Sequence, residues 1–261
     1  MMKIEGVLLD WAGTTVDFGC MAPVRAFMDS FAANGITVTE EETRKPMGML
    51  KRDHIKTMLS MDRIAAQWQK RYGRSWEPQD IETIYSSFEP ELLASLADYT
   101  KVKPGVLKTV TELRARGIKI GSTTGYTDTM MKIVAPTAAV QGYQPDCWFS
   151  PDATNGMGRP YPYMIFKNIM ELKLSDVRCV IKAGDTVSDI AEGRAAGVWS
   201  VGIIDGSSVM ALTEDAFRSL TEYEKNERRE AVRHTFMNAG ADYVITDITE
   251  LPAVIQAIQQ Q

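Results

Sequence analysis

The sequence VLLDWAGTT occupies residues 7–15 and decides how the chain begins to fold. Its apolar start predicts a short buried strand, and this strand carries one carboxylate, Asp10, at its C-terminal end. The turn predicted next contains the small and hydroxylic residues Ala12, Gly13, Thr14 and Thr15. Free backbone N–H groups of such a turn can hold the oxygens of an anion while the carboxylate attacks it. The segment therefore predicts an α/β protein with a phosphoryl-transfer site at the end of its first strand.

Short apolar segments alternate with helical patterns through most of the chain. Strands are predicted over residues 4–10, 118–125, 178–185, 199–204 and 241–246. Helices are predicted over residues 104–116, 127–136, 160–173, 187–196 and 219–238. This alternation is typical of a doubly wound, mostly parallel sheet covered by helices on both faces.

The interval between about residues 20 and 100 departs from this alternation, because it contains no convincing strand. Helices are predicted there over residues 23–34, 40–60, 63–72 and 78–97. Open α/β sheets bind ligands beyond the carboxyl ends of their strands, so an insertion after the first strand would close over Asp10. The expected division is an α/β core domain, residues 1–19 and 101–261, and an α-helical cap domain, residues 20–100.

Composition limits the classes of partner. The chain has 261 residues, 44% hydrophobic and 24% charged, which is an ordinary globular balance. A net charge of −5 without a basic stripe argues against nucleic acid and favours a small-molecule substrate. No window approaches the ~20 apolar residues of a membrane span. Three widely spaced cysteines and an N-terminus without a leader pattern predict a cytoplasmic protein.

The second predicted strand ends in hydroxylic residues. Ser122, Thr123 and Thr124 precede Gly125, so a hydroxyl and a turn N–H could bind a phosphate oxygen there. Thr124 and Gly125 are therefore candidate phosphate ligands. Tyr126 comes next and is either a substrate contact or a core residue.

Two further strand ends supply charge. Asp185 ends the strand at 178–185, and Asp189 follows one helical turn later. With Asp10 these carboxylates form an oxygen-rich set suited to Mg²⁺, and Arg159 in GRPYP adds a fixed positive charge. Each residue alone has a plain structural explanation, such as a helix cap or a surface charge. Together, each at a predicted strand end, they indicate magnesium-dependent phosphoryl transfer.

This set of residues resembles the haloacid dehalogenase superfamily, whose members use the Asp of the first strand as phosphoryl acceptor. Most phosphatases of that superfamily place a second Asp two residues later, as general acid for the leaving oxygen. Here that position is Ala12. Either the enzyme is inactive, or its leaving group needs no such acid.

The predicted cap contains a candidate nucleophile. Residues 44–59, RKPMGMLKRDHIKTML, predict a helix that opens near Pro46. One face of it would be shared by Met47, Leu50, Lys51, His54 and Met58. Burial disfavours an ammonium, so Lys51 on this apolar face could be partly neutral and attack a carbonyl. Alternatively, Lys51 extends from the buried face to solvent and His54 is a satisfied core histidine.

Five strings spread over residues 10–189 resemble the phosphonatase branch of the superfamily: DWAGTTVDFG, RKPMGMLKRDH, GSTTGYT, GRPYP and KAGDTVSD. The resemblance implies that phosphonoacetaldehyde is hydrolysed to acetaldehyde and phosphate, in the degradation of 2-aminoethylphosphonate. It implies that Lys51 forms a Schiff base with the aldehyde and that Asp10 takes up the phosphoryl group. It places Mg²⁺ on Asp10, the Ala12 carbonyl and Asp185.

A protonated imine would accept the electrons released by C–P cleavage, so the protonation step falls on carbon and no acid is needed at Ala12. His54 is then the candidate proton shuttle between Lys51 and the substrate carbonyl, and Met47 a candidate substrate contact. The competing interpretations are a magnesium-dependent phosphomonoesterase or phosphomutase of the same superfamily, and a catalytically silent phosphate-binding module.

The resemblance further implies a homodimer. The side chains of Phe27, Met28 and Phe31 in the predicted cap could form its contact, or they could line the core of the cap itself.

Overall fold

The computed structural model describes residues 3–261, which fold around a six-stranded, all-parallel sheet. Its strands are β1 Gly6–Leu9, β2 Lys119–Thr123, β3 Cys147–Phe149, β4 Val180–Gly184, β5 Trp199–Ile203 and β6 Tyr243–Ile245. Their order in the sheet is β3-β2-β1-β4-β5-β6. Strand β1 lies in the middle, so its C-terminal end falls where the chain order reverses and where such sheets bind ligands. The predicted doubly wound α/β fold is confirmed.

Five helices follow β1 before the chain returns to the sheet. They are α1 Met21–Ala33, α2 Glu40–Arg44, α3 Lys51–Leu59, α4 Asp62–Tyr72 and α5 Pro78–Ser95, and residues 21–95 are called the helical insertion below. The helices that accompany the sheet are α6 Val106–Ala115, α7 Asp128–Val140, α8 Tyr163–Glu171, α9 Val187–Ala196, α10 Glu214–Ser219, α11 Glu222–Asn238 and α12 Leu251–Gln259. Residues 1 and 2 of the expected core domain lie outside the described residues.

The predicted continuous helix over residues 40–60 is wrong, because the chain breaks between α2 and α3. Thr39 and Glu42 form a capping box that starts α2, while Pro46 and Gly48 interrupt the pattern after it. Gly48 has φ +87°, a conformation that side chains rarely adopt. The helix therefore begins at Lys51. Met47 is buried too, but it lies in the turn before the helix and does not share a helix face with Lys51.

Strand β3 was not predicted. It has three half-buried residues at the edge of the sheet, too few to show an alternating pattern. The helix predicted over residues 219–238 is found as α11, which begins at Glu222 because Thr221 and Glu224 form a capping box there; the short helix α10 before it was not predicted.

Aromatic stacking forms the centre of the helical insertion. The ring of Phe27 lies between those of His54 and Phe88, at centroid distances of 3.8 and 4.1 Å. Phe27 and Phe31 are fully buried, so of the two alternatives these residues line the insertion's own core. Within residues 3–261, no helix combines the length and apolar character that crossing a membrane requires.

Candidate active site

The turn after β1 holds Asp10 at the C-terminal ends of the strands, and this side of the sheet is called the sheet edge below. The Asp10 N–H donates to the Ala183 carbonyl at 3.0 Å, and the Thr15 hydroxyl donates to the Asp10 carbonyl at 2.9 Å. Gly13 takes φ +87°, and a Cβ there would collide with the Asp185 carboxylate. Only glycine therefore lets this turn approach Asp185 so closely.

Three carboxylates meet at this edge, as the sequence predicts. Oxygens of Asp10, Asp185 and Asp189 lie within 4.8 Å of one another, and all three residues are buried. Burial, followed by repulsion from Asp10 and Asp189, raises the pKa of Asp185 well above its usual value. Buried oxygen donors that repel one another fit a hard divalent cation, which would relieve that repulsion.

The three carboxylates are not equivalent. Asp189 accepts from the Lys182 ammonium and the Thr186 hydroxyl, both at 2.6 Å, and lies 3.0 Å from Arg159. Burial alone would raise the pKa of Asp189, but Arg159 and Lys182 reverse the effect and lower it. Its oxygens are thus already engaged by protein donors, so its role as a metal ligand stays a prediction.

Arg159 points at the carboxylate of Asp10. One terminal nitrogen donates to Asp10 Oδ1 at 2.5 Å and to the Thr123 carbonyl at 3.0 Å, while its Nε donates to Glu192 Oε2 at 3.0 Å. The guanidinium is almost completely buried. Although burial opposes its charge, Asp10, Asp189 and Glu192 raise the pKa of Arg159 above its usual value. A permanent positive charge therefore faces an oxygen of the Asp10 carboxylate.

The turn after β2 meets the helical insertion backbone to backbone. A Cβ on Gly125 would lie 2.9 Å from the Gly48 carbonyl oxygen and 3.0 Å from that of Met49. The Thr124 hydroxyl accepts from the Tyr126 N–H at 3.0 Å, and the Tyr126 ring is buried. Tyr126 thus both packs in the interior and lines the cavity.

A narrow cavity lies at this junction. It is lined by Asp10, Ala12, Cys20, Pro23, Met47, Gly48, Lys51, Thr124, Gly125, Tyr126, Arg159 and Thr186. The structure thereby brings together eight of the residues that the sequence singles out, from both the sheet edge and the helical insertion. The other four, Cys20, Pro23, Gly48 and Thr186, were not predicted as site residues, although Gly48 lies within the quoted RKPMGMLKRDH string and Thr186 within KAGDTVSD.

Lys51 is the first residue of α3 and is only 3% exposed, so it does not extend to solvent. Its Nζ lies 5.0 Å from the ring centroid of Tyr126 and 5.8 Å from that of Phe27. Burial lowers the pKa of Lys51 to about 8, partly opposed by Cys20 and Asp10. A substantial neutral fraction at neutral to mildly alkaline pH suits a nucleophilic amine.

His54 lies one helical turn after Lys51 and is not among the residues that line the cavity. Its Nε2 is 2.9 Å from the Thr43 carbonyl, whereas Nδ1 has no partner among the described residues. Burial, and then the nearby Lys51, lowers the pKa of His54 well below its usual value. The imidazole is thus neutral and packed on Phe27, and its role as a proton shuttle stays a prediction.

Two functional candidates were missed in the sequence. Lys182 lies inside β4 and Glu192 three residues after Asp189 in α9, and both are fully buried. A charged residue in an otherwise apolar strand, and a second acid on the same helix face as Asp189, were the available signals.

Comparisons with known proteins agree with this geometry. A family model of haloacid dehalogenase-like hydrolases matches residues 4–197. The curated phosphonoacetaldehyde hydrolase of Lysinibacillus sphaericus is 49% identical over 100% of this chain and 97% of its own. That of Bacillus cytotoxicus is 47% identical over 100% and 98%. A crystal structure described as a phosphonoacetaldehyde hydrolase like protein, from Oleispira antarctica, superposes with a TM-score of 0.94 at 38% identity, covering 98% of this chain and 93% of that one.

Proposed function

The chain belongs to the haloacid dehalogenase-like hydrolases, and from that membership we propose that it cleaves the C–P bond of phosphonoacetaldehyde, releasing acetaldehyde and phosphate. The observation that carries the proposal is the meeting of a buried amine, Lys51, with an acceptor carboxylate, Asp10, in one cavity that Ala12 also lines. The names of relatives similar over their whole length support the same substrate.

The first half of the reaction takes place at carbon. The neutral amine of Lys51 attacks the aldehyde carbon, and the carbonyl oxygen takes one proton from the amine and one from solvent by way of His54. This oxygen leaves as water, and a protonated imine joins Lys51 to the substrate. This imine is the electron acceptor that a C–P bond requires, because the pair released by phosphorus moves into a new C=C bond and gives an enamine. A carbanion is thereby avoided.

The second half takes place at phosphorus. An oxygen of Asp10 attacks in line, the P–C bond breaks, and the phosphoryl group is carried as an aspartyl phosphate. Arg159, 2.5 Å from Asp10 Oδ1, balances the negative charge that gathers there. The enamine is protonated on carbon and the imine is hydrolysed to acetaldehyde. Water then releases phosphate and restores Asp10.

A magnesium ion fits the carboxylates described above. We propose that Asp10, the Ala12 carbonyl and Asp185 would hold it, with Asp189 beside them. When bound, it shields the repulsion between the Asp10 carboxylate and the phosphonate oxygens. Thr124 and Gly125 would seat those oxygens, while Met47 and Tyr126 would enclose the two-carbon part of the substrate. His54 remains the proposed proton shuttle to Lys51.

We also propose that residues 20–100 act as a cap domain over a core of residues 1–19 and 101–261. Two hydrogen bonds between the helical insertion and the sheet edge support its position over the core. Arg44 donates to the Ser208 carbonyl at 3.2 Å, and Ser188 donates to the Met47 carbonyl at 3.1 Å. A homodimer, a cytoplasmic location and a role in 2-aminoethylphosphonate degradation are part of the proposal. The three free cysteines suit a reducing compartment.

The decisive experiment traps the imine. Borohydride added with phosphonoacetaldehyde is expected to fix a two-carbon adduct on Lys51, identified by peptide mass spectrometry, and to stop release of acetaldehyde and phosphate. Lys51→Arg keeps the charge but loses the nucleophile, so turnover is expected to disappear. Lys56→Arg, on the exposed side of the same helix, is the matched control and should turn over normally.

Three results would contradict the proposal. Full activity of Lys51→Arg would remove the Schiff base. Hydrolysis of sugar phosphates without cleavage of phosphonoacetaldehyde would identify a phosphomonoesterase or phosphomutase. Absence of magnesium-dependent phosphate release from both substrate classes would identify a silent binding module.

A further inference from the structure

We propose that Glu192 is a positioning residue that holds the guanidinium of Arg159 against Asp10. The inference rests on the proposed function, in which Arg159 faces the transferred phosphoryl group. It concerns a residue that lies behind the cavity and touches neither Asp10 nor the cavity surface.

The contacts of Glu192 join the two sides of the arginine. Its Oε2 accepts from Arg159 Nε at 3.0 Å and from the Thr123 hydroxyl at 2.8 Å. The same Thr123 accepts from the terminal nitrogen of Arg159 at both its hydroxyl and its carbonyl oxygen, each at 3.0 Å. Nε is thus bound from behind while the terminal nitrogen extends to Asp10 Oδ1. A planar guanidinium held at both ends cannot rotate about its long axis.

Lys182 partly compensates the charge of the buried Glu192. Its ammonium lies 3.8 Å from Glu192 Oε2 and donates to Asp189 Oδ1 at 2.6 Å. Burial raises the pKa of Glu192, whereas Arg159 and Lys182 oppose that shift. Two cations and the carboxylates of Asp189 and Glu192 therefore form one closed network behind the site.

The second oxygen of Glu192 argues against a role in packing alone. Oε1 is buried and has no hydrogen-bond partner among the described residues. Such an oxygen destabilises a fold, so a residue kept only for stability would be better replaced by an apolar side chain. What the carboxylate supplies instead is a charged acceptor, Oε2, for Arg159 Nε and the Thr123 hydroxyl.

The test is a double-mutant cycle. Glu192→Gln keeps the shape of the side chain but loses its charge, and we expect kcat/KM with phosphonoacetaldehyde to fall roughly 10- to 100-fold, the range for partners that orient a ligand. Affinity for inorganic phosphate, measured by calorimetry, should fall in parallel. In an Arg159→Lys background the same substitution should change neither quantity further. Asp242→Asn, which alters a carboxylate bound to the β5 backbone far from Arg159, is the matched control.

Multiplicative losses in the two backgrounds, or a Glu192→Gln variant with wild-type kinetics and phosphate affinity, would overturn the inference. Lys182→Gln provides a second route if Glu192→Gln unfolds, because weakening this anchor should reduce phosphate affinity only when Arg159 is present. Phosphate binding does not depend on C–P cleavage. A wild-type protein that binds phosphate but does not cleave phosphonoacetaldehyde would therefore refute the proposed function. The inference about Glu192 would then be decided by the phosphate affinities of the double-mutant cycle.

Discussion

Lys51 shows how burial adjusts a single side chain for chemistry. The amine lies between two aromatic rings, and loss of solvation lowers its pKa from 10.5 to about 8. Burial thus makes the neutral form of the amine accessible near neutral pH. The same burial has consequences for rate and for stability, and the two can be measured separately.

The pH–rate profile follows from this pKa. Since the neutral amine attacks, kcat/KM is expected to rise with pH and to reach half its plateau near pH 8. His54, whose pKa burial lowers well below its usual value, should add no inflection near pH 6.5. Steady-state rates between pH 5.5 and 9.5 check both statements. A kcat/KM that still rises about tenfold per pH unit at pH 9.5 would mean that Lys51 is not desolvated in the free enzyme.

Replacing Lys51 should abolish activity but increase the stability of the fold. The folded pKa lies below the unfolded value, so the unfolded chain binds the extra proton between about pH 8 and 10.5, and folding is disfavoured most fully below pH 8. Lys51→Met is expected to abolish turnover and to raise the free energy of unfolding at pH 7 by up to about 3 kcal/mol. Urea unfolding measures this. Lys56→Met should change little, and a destabilised Lys51→Met would contradict the electrostatic account.

At the scale of elements, the contact between the β2–α7 turn and the turn before α3 brings the two halves of the cavity together. Gly125 permits it, because it presents no side chain to the carbonyl oxygens of Gly48 and Met49. Gly48 in turn lets the turn before α3 lie against Thr186 and Ser188. Ser188 adds a hydrogen bond to the Met47 carbonyl beside this contact. At this contact the helical insertion packs on the core through backbone atoms, so a single added methyl group should displace it.

Gly125→Ala tests this contact. The new Cβ would press on the carbonyl oxygens of Gly48 and Met49, at 2.9 and 3.0 Å, and should hold the insertion away from the sheet edge. We expect kcat/KM to fall roughly tenfold or more with an almost unchanged melting temperature. Ser188→Ala removes one hydrogen bond without a clash and should have a smaller effect. Equal, negligible effects of both would show that closure does not depend on this contact.

The elements also show what sequence reasoning reaches. Five of six strands and the helical insertion were predicted, because buried parallel strands and amphipathic helices leave periodic patterns. Strand β3 is too short to leave one, and the break before Lys51 depends on Gly48 adopting a left-handed backbone against Thr186. At the site, residues at strand ends were found. Lys182 and Glu192 were missed because they contact Asp189 and Arg159 within the interior and do not line the cavity.

For the whole molecule, the buried carboxylates couple metal binding to folding. Asp10, Asp185 and Asp189 repel one another at the edge of the sheet, and burial raises the pKa of Asp185. A bound cation would remove this repulsion in the folded chain alone, so it should stabilise the protein by mass action.

Removal of metal should therefore affect both activity and melting. With EDTA, we expect phosphate release to stop and the melting temperature to fall; excess Mg²⁺ should restore both. At 100 times the dissociation constant the stabilisation amounts to about 2.7 kcal/mol. Asp185→Asn should lose activity and the response of melting to Mg²⁺, while its metal-free form melts no lower than the wild type. An unchanged Mg²⁺ response in Asp185→Asn would place the ion elsewhere.

Ala12 has a final consequence for selectivity. With only a methyl group where related phosphatases carry an acid, the site has no proton donor there for a departing alkoxide, and in the proposed mechanism cleavage depends wholly on the imine at Lys51. A phosphonate without a carbonyl group, such as ethylphosphonate, would then occupy the base of the cavity intact and act as a dead-end inhibitor. Discrimination between phosphonates with and without a carbonyl group would then occur at the bond-breaking step and not at binding of the anion.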